Sequence, residues 1–214
     1  MADNWDGIVS DLRDRAQGMH EAREAVLVQC RKLGQLAAKS IRHVHRHQFE
    51  EADALLEEAK AVANAARELL KPHPELNPAY LHDTEKEMVE AAAVLAIVLG
   101  RPYPTVDDLG AQVMSYLNGM GEAASEVRRF ALDEMRRGHI DEAAIILKQM
   151  ETIYDDLITF DFADSMTGGL RRTCDALRAV IERTRSDLTA TASQQELVRE
   201  LQAMRERLAI EEKR

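Results

Sequence analysis

Apolar side chains recur at threes and fours through most of this chain, and no stretch alternates apolar and polar positions as a half-buried strand would. Val26, Cys30, Leu33, Ala37, Ile41 and Val44 form the first stripe and predict one long helix over residues 4–47. Phe49, Ala52, Leu55, Leu56, Ala59, Val62, Ala66 and Leu69 predict a second over 48–71. The segment Lys71–Pro78 holds three prolines and reads as a loop, since proline cannot continue a helix. A third helix follows to Leu99, and its unbroken apolar run Ala91–Leu99 predicts burial on every side. Arg101–Pro104 breaks it, and Thr105 is placed to cap a fourth helix extending to about Arg137. Gly138 precedes a fifth helix over about 140–160, with Ile146, Met150, Ile153 and Leu157 on its inner face. DFADSMTGG is then a loop, and a sixth helix occupies about 170–190. The last, about 193–211, carries Leu197, Leu201, Met204 and Leu208 at alternating fours and threes. That is a short coiled-coil-like seam, which suits an oligomer contact or a fold back onto the chain's own bundle. The pattern therefore predicts an all-α bundle of about seven helices, in one domain covering residues 1–214.

Composition agrees. Only 5 prolines and 10 glycines interrupt the 214 residues, and aromatics make up 4%. Cys30 and Cys174 are far apart, with no zinc or redox spacing, and fit a structural role in a reducing compartment. The acidic start MADNWDG leads into no apolar stretch of secretory type, and Ala91–Leu99 is too short to span a bilayer. The expected location is the cytoplasm, with no membrane partner. The net charge of −10 opposes a simple nucleic-acid surface. It is unevenly spread, however: Arg13, Arg15, Arg23, Arg31, Lys32, Lys39, Arg42 and Arg46 cluster over residues 11–48 together with four histidines, against four acids.

Two segments carry the candidate chemistry. Glu87 and Glu90 stand at i,i+3 directly before the apolar run, and Glu122 and Glu126 stand at i,i+4 in YLNGMGEAASEVRRF, after an uncharged stretch from Leu109. Carboxylates near a core are costly unless protonated, paired with cations or bound to a metal, and two such pairs on neighbouring helices would suit Mg²⁺ or Mn²⁺. Gly119 and Gly121, with Ala123, Ala124 and Ser125, leave one side of this helix without bulk. Close helix packing and room for a metal, a water and a phosphate both account for it.

These two segments resemble the translin superfamily, and within it translin-associated factor X, the catalytic partner of translin. KEMVEA at Lys86–Ala91 is similar to a QEYVEA-like segment of that partner, and YLNGMGEAASEVRR to its YLLGxxDxxGELxR-like segment. LRRTCDALRAVIERTRSDL resembles the family's C-terminal segment. The resemblance covers roughly Ile41 to Leu188. It implies that Glu87, Glu90, Glu122 and Glu126 hold Mg²⁺ or Mn²⁺ in an endoribonuclease site, with Glu122 standing where that partner has Asp. Plain translin, which binds RNA without cutting it, lacks an acid there. The resemblance further implies a seven-helix subunit in a hollow homo-oligomer, an octamer, with sites facing inward and RNA as the partner. The candidate RNA contacts are Arg42, His43, Arg46, Arg128, Arg129, Arg171 and Arg172; Arg128 and Arg129 are equally suited to structural ion pairs, and Arg171 and Arg172 to pairing with acids between subunits.

Three other readings compete with this one. A non-catalytic binder of single-stranded RNA or DNA would use the basic residues and leave the acids structural. A ferritin-like di-metal bundle needs Glu-x-x-His pairs, and none of the seven histidines has Glu three residues before it. His43 and His47 at i,i+4 have half of a zinc spacing but no companion motif. No P-loop, GxGxxG or GxSxG occurs.

Overall fold

A computed structural model describes residues 3–76 and 79–211, and every regular element among them is a helix. Met1 and Ala2 of the acidic start, and Asn77 and Pro78 of the expected proline loop, lie outside the described residues. Among the described residues there are nine helices where about seven were expected, two of them single turns. The chain divides into two compact units, residues 1–123 and 124–214.

The first unit is built on α1 (Asp3–Val44), α2 (Phe49–Leu70) and α3 (Ala79–Leu99). His47, at φ 58°, turns the chain between α1 and α2. A connection this short makes the two helices an antiparallel hairpin. Ser40 Oγ donates to Ala52 O at 3.0 Å near the turn, and Lys32 meets Glu58 at 2.8 Å further along. The stripe read from sequence is the packed face: Val26, Cys30, Leu33, Ala37 and Val44 are buried. On α2 the buried residues include the small Ala52, Ala59, Ala63 and Ala66, and Ala66 clusters with Val26 and Cys30 of α1. Residues Ala91–Ile97 of α3 are buried without exception, as the run of apolar residues predicts.

The predicted 105–137 helix is three helices. Thr105 does cap, in a full capping box with Asp108. The helix it starts, α4 (Val106–Leu109), stops after one turn because Gly110 adopts the left-handed conformation (φ 59°). The chain restarts as α5 (Val113–Glu126) and, after the single residue Val127, continues as α6 (Arg128–Arg137). A buried ion pair fixes the restart. Glu85 of α3 receives Arg67 Nε at 2.9 Å and the backbone N–H of Gln112 at 3.0 Å, while Arg67 also donates to Leu109 O.

The second unit holds α6, α7 (Ile140–Leu157), α8 (Asp164–Thr167) and α9 (Leu170–Glu211). Gly138, at φ 89°, ends α6. Ala131, Met135, Ile146, Met150, Ile153, Leu157, Cys174, Leu177 and Ile181 form its interior. α8 is a helical turn inside the segment read as a loop. The two helices expected over 170–190 and 193–211 are one, because the link between them holds no glycine or proline. The threonines there satisfy their hydroxyls inside the helix: Thr189 donates to Arg185 O and Thr191 to Asp187 O, each at 2.8 Å. Beyond residue 193 the seam residues Leu197, Leu201, Met204 and Leu208 are exposed, so they do not fold back onto this chain's core. Among the described residues, no helix is long and apolar enough to cross a membrane.

Candidate carboxylate site

The site is set by how closely α5 approaches α3. Gly119 is fully enclosed: a Cβ added to it would stand 2.6 Å from Val89 Cβ and 2.7 Å from the carbonyl oxygen of Lys86. Backbone therefore meets backbone at this point, and the small residue read as either packing or open room is filled by α3. One turn before, Ser115 Oγ lies 3.0 Å from His82 Nδ1. Three residues beyond, Glu122 reaches Lys86, with Oε1 2.9 Å from Nζ. The start of α5 is tied separately, by Tyr116, whose hydroxyl donates to Pro104 O at 2.8 Å.

Glu87 lies beside that ion pair, half-buried on α3. Its Oε2 would be only 2.7 Å from a Cβ on Gly34, so the carboxylate occupies the space that this glycine of α1 leaves open. Burial raises the Glu87 pKa above its ordinary value of 4.5; the Lys86 ammonium opposes the rise, and the Glu122 and Asp83 carboxylates add to it. Two of the four motif acids, from different helices, are thus near enough to act on each other. Glu90 is half-buried one turn along α3 from Glu87, and Glu126 is half-buried as the last residue of α5, one turn past Glu122. Glu126 falls in the second unit. Among the described residues no three His, Cys, Asp or Glu side chains gather closely enough to hold a metal ion.

Carboxylates are the donor type that a hard divalent ion takes. Mg²⁺ is usually held by one or two carboxylates and fills its remaining positions with water and substrate phosphate oxygens. Lys86 is the cation that Glu122 pairs with here. It is the residue the sequence reading passed over, although it follows directly from the motif: the family's Gln is a lysine here. Glu85, the buried anchor two residues before Glu87, was passed over as well, for lack of any local signal that Arg67 would reach it.

The basic candidates separate into free-standing and committed residues. Arg42 and Arg46 are exposed at the end of α1, and His43 is half-buried between them with its Nδ1 enclosed. His47 packs edge-on against Phe49, with ring centroids 5.7 Å apart, and leaves His43 without a zinc partner set among the described residues. Arg129 is exposed, as are Arg171 and Arg172 in the first turn of α9. Arg128 is committed: its guanidinium donates to Thr184 Oγ1 at 2.9 Å and to Asp187 Oδ2 at 2.7 Å, clamping α6 to α9.

No protein-family model matches the chain. In sequence it is similar to an uncharacterised protein of Methanocaldococcus jannaschii, 27% identical over 169 residues, covering 78% of this chain and 74% of that protein. In structure it is similar to AfC3PO in complex with duplex RNA, with a TM-score of 0.82, 32% identity, and coverage of 87% of this chain and 97% of that one. A crystal structure of AfC3PO is similar too, at 31% identity and TM-score 0.82 over the same shares of both chains. Apo-NeC3PO, 23% identical with TM-score 0.77 over 86% of this chain and 96% of that one, shares the fold.

Proposed function

We propose that this chain, which belongs to the translin superfamily as a member resembling translin-associated factor X, binds RNA and cuts it in a metal-dependent endoribonuclease reaction. The observation that carries the reading is that Glu87 and Glu122, two motif acids on separate helices, lie near enough to act on each other, beside the close approach of α5 to α3 at Gly119. The solved relative AfC3PO, similar over nearly its whole length, has been captured with duplex RNA, which supports RNA as the ligand class.

In this reading Glu87, Glu90, Glu122 and Glu126 hold Mg²⁺ or Mn²⁺. Such an ion, when bound, would supply a water of lowered pKa and positive charge beside the scissile phosphate. The protein's own contribution is placement. Gly119 brings the two helices together, Gly34 gives Glu87 its position, and the desolvated Glu87 carboxylate gains from any cation placed beside it. Arg42, His43, Arg46, Arg129, Arg171 and Arg172 meet backbone phosphates. Arg128 acts by holding α6 on α9. Assembly into a hollow homo-octamer in the cytoplasm completes the reading, on the strength of the family resemblance.

A second reading is a non-catalytic binder of single-stranded RNA or DNA. The Lys86–Glu122 pair favours it, since an acid already neutralised by a lysine has no need of a metal. Labelled single-stranded RNA incubated with Mg²⁺, Mn²⁺ or EDTA, using wild type and Glu126→Ala, separates the two, with binding read in the same samples. The nuclease reading expects cleavage only with metal, lost in the variant while binding persists. Binding without cleavage under either metal would replace it with the binding module.

A further inference from the structure

Lys86 has two acids within reach and one of them belongs to the candidate site. Its Nζ is 2.9 Å from Glu122 and 3.9 Å from Asp83, one turn back on its own helix. The lysine is mostly enclosed, its side chain 22% exposed, whereas Asp83 is 83% exposed. We propose that Lys86 is the built-in counter-ion of the acid site: its ammonium holds Glu122 in the metal-free protein, competes with a divalent ion for that carboxylate, and shifts to Asp83 when the ion binds. The inference rests on the metal-site reading above and concerns how that site is filled.

The geometry lets Lys86 and Glu122 change partners while Glu87 stays in place. A lysine is a compact charge on a flexible four-carbon stem, and re-pairing with an acid one turn away changes only side-chain torsions. Glu122 is 34% exposed, so its oxygens can change partner without opening the core. Glu87 is more constrained, because its Oε2 fills the space over Gly34. An ammonium and a divalent ion beside the same carboxylate repel each other, which favours the departure of one. The cation with an alternative acid beside it is Lys86. An RNA phosphate arriving at the site offers the ammonium a further partner, so metal and RNA are expected to favour each other's binding.

The test is Mn²⁺ binding by the full-length protein at low salt, read as loss of the free Mn²⁺ electron paramagnetic resonance signal. Circular dichroism checks that each variant is folded. Lys86→Met and Lys86→Gln are both expected to bind Mn²⁺ about tenfold more tightly than wild type, because a competing charge is gone. Lys86→Arg keeps the charge and is expected to stay near wild type. Asp83→Asn removes the second position and is expected to weaken binding about two- to threefold. Wild-type affinity in both neutral Lys86 variants, with binding lost in Glu122→Gln, would overturn the inference and leave the metal site standing. Wild-type affinity in Asp83→Asn would overturn the shift to Asp83. No Mn²⁺ binding by wild type or by either neutral Lys86 variant would remove the metal site and this inference together.

Discussion

Glu87 loses water on folding, faces two other acids and has one lysine to offset them, so its charged form is disfavoured in the native state. The native protein therefore binds a proton more readily here than the unfolded chain, and stability falls as pH rises through the raised pKa. With EDTA present to keep metal out, Glu87→Gln should have a higher Tm than wild type at neutral pH. That gap should close as pH falls through the raised value to below 4.5, where both states of the wild type are protonated. Equal melting curves at all pH values would contradict the environment described for Glu87. The motif acids themselves were legible in sequence, because spacing on a helix fixes which of them share a face. Their partners were not. Whether a lysine beside an acid points to it, to Asp83 or to solvent depends on where α5 lies, and Gly34 was silent until α3 was seen against α1.

Helices were legible wherever the apolar period was long and unbroken, as in α1, α2, α3 and α7. Their joints were read less well. Gly110 ends α4 because its left-handed conformation lies next to Arg67, a contact no local pattern announces. The join at residues 191–192 looked like a boundary because the apolar stripe changes there, yet nothing in the backbone chemistry stops the helix. Two variants test the elements around the site. Gly119→Ala gains about 1 kcal/mol of helix propensity but drives a methyl into Val89 and the α3 backbone. The expected net loss is about 1–3 kcal/mol in urea unfolding, the usual cost of overpacking. A variant as stable as wild type would mean that α3 and α5 are not in backbone contact. Arg67→Met strands the buried Glu85 carboxylate and should cost about 3–5 kcal/mol, whereas adding Glu85→Leu should restore much of the loss. A single variant no less stable than wild type would contradict the anchoring role given to this pair.

At the scale of the whole molecule, an acidic protein is proposed to hold a polyanion, and Arg42 and Arg46 stand exposed near each other in sequence at the end of α1. If Arg42 and Arg46 meet phosphates, replacing both with alanine should weaken RNA binding at every sequence tested and reduce the salt dependence by about two phosphate contacts. An unchanged salt slope would locate the contacts elsewhere. The exposed seam of α9 belongs to this scale too: Leu201→Glu should lower the assembly mass seen by light scattering, and an unchanged mass would exclude the seam from the oligomer contact. Neither assembly nor substrate could be read from periodicity, which registers only what one chain buries against itself. The most direct measurement concerns the acid pair itself: single-turnover cleavage of labelled RNA in Mg²⁺ by wild type and by Glu122→Gln, with bound RNA quantified in the same tubes. The account predicts cleavage by wild type and at least about a hundredfold slower cleavage by the variant at unchanged binding, the signature of an interaction made at the reacting centre. Equal rates in the two proteins would contradict it.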